Sequence, residues 1–117
     1  KELKNVDSKG ILISDLVLLS LEDGDRTDAL VNMGKKVIVI DLNPISRSAK
    51  RASITIVDNV VRAMPKLVNT VSKLRELDEN QLLKIVGSFN NHINLALTLN
   101  YMIGRLTRLA KGEMVIQ

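Results

Sequence analysis

The sequence predicts an α/β fold: a small sheet of parallel strands followed by amphipathic helices toward the C-terminus. Three observations carry this. Apolar, largely β-branched stretches within residues 10–21, 37–40 and 53–57 alternate with segments of helical character, and parallel strands need crossovers of that kind. Beyond residue 60 the apolar positions recur at three and four residues, the helix period. Leu, Ile and Val make up 41 of the 117 residues, while Phe89 and Tyr101 are the only aromatics. The core is therefore aliphatic, and base stacking on aromatic side chains has almost nothing to work with.

Gly10–Leu21 is a nearly continuous apolar run, which suits a buried strand. The polar loop Glu22–Arg26 follows, with Gly24 free to take left-handed or close-approach geometry. Thr27–Met33 predicts a short helix, with Ala29, Leu30 and Met33 on one side and Gly34 as its stop. A second strand spans Val37–Ile40 and ends at Asp41, where Asn43-Pro44 breaks it. Ser46 or Asn43 caps the short segment that follows. Ser53–Val57 is the third strand, with Ile54 and Ile56 alternating against Ser53 and Thr55. Val60–Leu77 has a helical repeat that Pro65 either starts or kinks after a first turn. Asp78 with Gln81 forms a capping-box pattern that opens the next helix, and a last helix runs from about Asn91 to Ala110. This gives an α/β segment over 1–77 and a helical segment over 78–117.

The net charge of +4 is uneven: residues 1–34 carry four basic and seven acidic groups, residues 35–75 nine basic and two acidic. A basic middle segment suits a phosphorylated small molecule, nucleic acid or an anionic membrane, although dispersed charges are also ordinary surface. No apolar run reaches 18 residues and no secretory signal opens the chain, so neither a membrane nor secretion is expected and the default is cytoplasmic. The absence of cysteine excludes disulfides, thiolate metal centres and thiol catalysis. With His92 as the lone histidine, a two-histidine metal site and a Ser-His-Asp triad lose their support; a surface or packing role is the expectation for it. The chain opens at Lys1 rather than Met, and a three-stranded sheet leaves an edge or face for something to cover. Both point to a piece of something longer, or to an assembly.

In a parallel sheet the ligand crevice lies beyond the carboxyl ends of the strands. Three polar clusters fall there: Glu22–Arg26, Asp41–Arg47 and Asp58-Asn59. Each alone reads as a turn; Asp25 and Asp58 are also simple candidates for helix caps. Together on one rim they form a candidate anion or nucleotide site. Arg26 and Arg47 can neutralise phosphate through planar forks, backbone donors near Gly24 can receive phosphate oxygens, and Asp41 can accept from ribose hydroxyls. Asp23 and Asp25 can take a base, a hydroxyl or a magnesium ion. Asn90, Asn91 and Asn94 can cap or hydrogen-bond into the rim, whereas Lys35 and Lys36 sit at the opposite end. Neither GxGxxG nor GxxxxGK[ST] occurs, so a nucleotide site here is an unusual one.

The stretches Leu21–Thr27 (LEDGDRT), Val39–Ala49 (VIDLNPISRSA) and Ile54–Pro65 (ITIVDNVVRAMP) closely resemble the archaeal phosphopantothenate synthetase family, the 4-phosphopantoate–beta-alanine ligases, and the similarity runs over residues 11–109. The resemblance implies a partial Rossmann-like sheet and an ATP-dependent, magnesium-assisted ligase of archaeal coenzyme A biosynthesis. Such an enzyme joins 4-phosphopantoate to beta-alanine with release of AMP and diphosphate, through adenylation of the pantoate carboxylate, and works as a homodimer. By carry-over, Asp23, Gly24, Asp25, Arg26, Asp41, Asn43, Ser46, Arg47, Asp58 and Asn59 are nucleotide contacts, with Arg26 and Arg47 catalytic and no protein metal ligand assigned. Family members are longer, and their N-terminal half, which carries further substrate residues, has no counterpart here. Asn90 stands where Asp is expected in many members. The alternative is a nucleotide-binding regulatory or structural module without catalysis.

Overall fold

A computed structural model describes residues 10, 13–20 and 24–113. The described elements run in the order β1 (Leu16–Ser20), α1 (Gly24–Asn32), β2 (Lys36–Ile40), α2 (Arg47–Arg51), β3 (Ile54–Ile56), α3 (Val60–Leu74), α4 (Glu79–Ser88) and α5 (Asn91–Ala110). The three strands are parallel in the order β1-β2-β3, with Val17 opposite Val37 and Val39 opposite Thr55. Each crossover steps one strand over in the same direction. Right-handed connections then put α1 and α2 on one face of the sheet, where the two helices touch.

That face holds the core. Leu19, Val37 and Val39 from the sheet meet Leu30 of α1 and Ala52 after α2, with Val17 and Val31 packed at the margin. β-branched residues at alternate positions of β2 suit this pleated, buried surface. The other face is less covered: Leu16 is 56% exposed and Leu18 42%. The expectation of a fully buried first strand over Gly10–Leu21 therefore needs correction. The described strand is Leu16–Ser20, and it buries one side because the described helices cover only that side.

Helix boundaries follow local chemistry. α1 starts at Gly24, earlier than the predicted Thr27, so Asp25 lies inside its first turn and is not its cap. Its end is a left-handed glycine: Gly34 has φ +84°, the Gly34 N–H donates to the Val31 carbonyl and the Lys35 N–H to that of Leu30. These are the two bonds of a Schellman stop. Gly112 ends α5 in the same way, at φ +72°. Ser46 is the N-cap of α2, accepting from the Ala49 N–H. Asn59, not Asp58, caps α3, accepting from the Arg62 N–H.

Pro65 lies inside α3, so it does not start the helix. The donor it lacks would have met the carbonyl of Val61, a residue 81% exposed, where water can replace the bond. The Asp78/Gln81 capping box opens α4 with both reciprocal bonds formed. In β3 the two-residue alternation holds, and Thr55 is the residue turned inward, 4% exposed, while Ile54 is exposed. Ser53 stands outside the strand and exchanges bonds with Val37: its N–H donates to the Val37 carbonyl and its Oγ accepts from the Val37 N–H at 3.0 Å.

Candidate functional site

Because the strands are parallel, their carboxyl ends share one rim. The loop after β2 is built from its own side chains. Asp41 accepts from the Asn43 N–H at 2.9 Å through one oxygen and from the Ser46 hydroxyl at 2.5 Å through the other. Asn43 accepts from the Ile45 N–H at 3.0 Å. Short side chains that bond the backbone two residues on fold a chain back tightly, and here they fix the turn that delivers Arg47 to the start of α2. The turn also leaves Leu42 and Ile45 63% and 60% exposed, an apolar surface on the rim. The Asp41 N–H donates to the Ile56 carbonyl, which ties the ends of β2 and β3 together.

After β3, Asp58 accepts from the Asn59 N–H and from Arg62 Nε, each at 2.8 Å. The backbone bond first, and the Arg62 guanidinium second, hold its carboxyl below the ordinary carboxylate value. Asp58 and Asn59 thus carry a local duty at the head of α3 while standing on the rim.

Across the rim, α1 and α2 face each other through a matched set of charges. Arg47 Nη2 donates to Asp25 at 2.7 Å and to Asp28 at 2.9 Å. Arg51 Nε donates to the other oxygen of Asp28 at 2.5 Å, and Arg51 Nη2 to Asn32 at 3.0 Å. Arg47 and then Arg51 pull the Asp28 carboxyl below its ordinary value. Arg47 is pushed up in turn by Asp28 and Asp25. Sequence reasoning passes over Asp28, Asn32 and Arg51. The signal was present: 25, 28 and 32 share one face of a helix, as do 47 and 51.

Of the sequence-predicted residues, Asp41, Asn43, Ser46, Arg47, Asp58 and Asn59 come together on the rim. Gly24, Asp25 and Arg26 form the first turn of α1, and Asp23 lies outside the described residues. Asn90 caps α5. Asn91 and Asn94 bond to Thr55 in the middle of β3 rather than to the rim. His92 is exposed, as expected of a surface histidine. Lys35 donates to the Ser14 carbonyl at the opposite end of the sheet. Two shallow clefts of about 200 and 230 Å³ open on α5 and between α4 and α5, and no rim residue lines either.

The donor set suits an anion with an apolar appendage. Arg47 spends Nη2 on carboxylates, and its Nε and Nη1 make no bond to a described residue. Among the described residues no cluster of three or more His, Cys, Asp or Glu forms a metal cage. That arrangement fits magnesium only as it is usually held beside nucleotides, largely by phosphate oxygens and water with one or two carboxylates.

The sequence pattern of the phosphopantothenate/pantothenate synthetase family matches residues 1–105. The chain belongs to this family. A 4-phosphopantoate–beta-alanine ligase of Thermococcus kodakarensis is 52% identical over 110 residues, 94% of this chain and 42% of the relative. A ligase of the same name from Thermococcus onnurineus is 48% identical over 111 residues, and that of Methanosarcina mazei 45% over 91, or 36% of its own length. The chain thus spans about two-fifths of the length of the curated relatives it matches. The parallel sheet with helical crossovers is the partial Rossmann-like arrangement that the family resemblance implied.

Proposed function

We propose that this chain is the nucleotide-binding part of an ATP-dependent ligase that joins 4-phosphopantoate to beta-alanine, giving 4'-phosphopantothenate, AMP and diphosphate in archaeal coenzyme A biosynthesis. The observation that carries the reading is the family match over residues 1–105, with relatives of that name 45–52% identical. The rim supports it. Arg47 offers to phosphate the three N–H groups of Nε and Nη1, which bond no described residue, Leu42 and Ile45 offer apolar surface to a base, and Asp41 is the proposed acceptor for a ribose hydroxyl. Asp23, Gly24, Asp25, Arg26, Asn43, Ser46, Asp58 and Asn59 complete the proposed nucleotide contacts, with Arg26 and Arg47 stabilising charge that develops on the reacting phosphate. ATP supplies the activating group and magnesium offsets phosphate charge. The residues of this chain bind, orient and neutralise.

The remaining substrate residues belong, in this reading, to polypeptide that fills the rest of the relatives' length, and the enzyme is cytoplasmic. A second copy of the protein is the proposed partner for α5, where Ile93, Leu97 and Tyr101 recur at four-residue spacing and are 58%, 64% and 69% exposed. No described helix is long and apolar enough to cross a membrane. The test is product analysis on the full-length protein. AMP should form only when ATP, 4-phosphopantoate and beta-alanine are all present; ADP in its place would exclude adenylation, and hydrolysis indifferent to both substrates would exclude the ligase.

A further inference from the structure

We propose that Asp28 is a positioning residue: it clamps Arg47 so that the N–H groups of its Nε and Nη1 are presented to an anionic ligand in one fixed direction. The nucleotide part of this inference rests on the function proposed above; the clamp itself rests on geometry alone. Asp28 is the shared node of the α1–α2 contact. Each of its oxygens takes a different arginine, Arg47 at 2.9 Å and Arg51 at 2.5 Å, and Arg51 is itself held by Asn32. Its side chain is 30% exposed, against 71% for Asp25.

Exposed ion pairs add little to stability, so this set is not explained by holding the fold together. What it does supply is direction. A guanidinium on a long, flexible stem is worth most to a phosphate when its fork is pre-aligned. Asp25 and Asp28 differ in what they contribute. Among the described residues Asp25 bonds to Arg47 alone, and it is the more exposed of the two carboxylates, so it restrains Arg47 less. Asp28 is braced by Arg51.

This produces an expectation opposite to simple electrostatics. Removing a negative charge beside a phosphate site should tighten binding. If Asp28 positions Arg47, Asp28→Asn instead weakens ATP binding by about tenfold. The measurement is calorimetric titration of ATP into the full-length protein and the Asp28→Asn variant, alongside the side-chain NMR signals of Arg47, which report whether its guanidinium rotation is restrained. Restrained rotation in the native protein that is released in Asp28→Asn supports the clamp. So does this pattern in a native protein that binds no ATP, in which case the nucleotide reading falls and the clamp stands. Native Arg47 rotating as freely as a solvent-exposed arginine overturns the proposal without recourse to any variant. An Asp28→Asn protein that binds ATP as well as or better than the native one overturns it too.

Discussion

Asp28 and Asp58 both hold their charge more firmly than an ordinary aspartate, and the causes differ. At Asp28 the cause is the side-chain bonds of Arg47 and Arg51; at Asp58 it is first the Asn59 N–H and then Arg62. A carboxyl lowered in the folded state contributes stability above its unfolded value, near 3.8, and that contribution is lost as pH falls through the folded value. The gap in Tm between the native protein and Asp58→Asn should therefore be constant from neutral pH down to about pH 5 and shrink below about pH 4. Thermal melts across that range check it, and a gap that widens in acid would contradict the assignment. Ser46 is a different kind of residue, since its hydroxyl both donates to Asp41 and caps α2 at 3.0 Å. Ser46→Ala should cost about 1 kcal/mol in urea unfolding. It should also weaken nucleotide binding, because the turn that delivers Arg47 loses its closing bond.

At the level of elements, the N-terminal turn of α5 acts as a substitute strand along the edge of β3. The Asn91 oxygen accepts from the Thr55 N–H at 2.9 Å, and its amide lies 3.2 Å from the carbonyls of Ala49 and Ala52 and 3.0 Å from the Thr55 hydroxyl. Asn94 donates to the Thr55 carbonyl at 2.9 Å. An edge strand otherwise presents those groups to any passing strand; here side chains close it. Asn91→Ala should cost about 1–3 kcal/mol, the price of leaving buried polar groups unpaired, and should speed hydrogen exchange at the Thr55 amide while leaving that of Val39 protected. The sequence offered Asn91 and Asn94 as caps or as bonds into the rim; their pairing with the middle of β3 was not legible there. The caps were legible, because a cap is decided within four residues: Ser46, Asp78 with Gln81, and Gly34 all fall where their local chemistry puts them. Long-range pairing was not. Thr55 turns inward because Ala49 and Asn91 satisfy its hydroxyl, and Asp28 meets Arg47 and Arg51 only after a strand intervenes. The rim was legible for a third reason: three polar clusters after three parallel strands must share an edge.

The molecule as a whole exposes more surface than its mass warrants. A compact monomer of 13.0 kDa should present roughly 6,300 Å², whereas the chain presents 8676 Å². The radius of gyration is 16.6 Å, against about 13 Å for a compact domain of this length. Besides Val61, Val68 and Val71 on α3, the exposed apolar surface includes two faces, the uncovered face of the sheet at Leu16, Leu18 and Ile54, and the outward rows of α4 and α5 at Val86, Leu97 and Tyr101. Both faces carry the two- or four-residue periodicity of core-facing elements, so the pattern is that of surfaces built to be covered. Expressed as these 117 residues alone, the chain should sediment as species heavier than 13.0 kDa at micromolar concentration and bind a hydrophobic dye. Leu18→Glu and Leu97→Glu separate the two faces. If the sheet face drives association, the first restores a monomer; if the α5 row does, the second does. A native chain that sediments as a monomer and leaves the dye unbound would mean that neither face needs a partner, and the excess area would then be a property of the isolated fold.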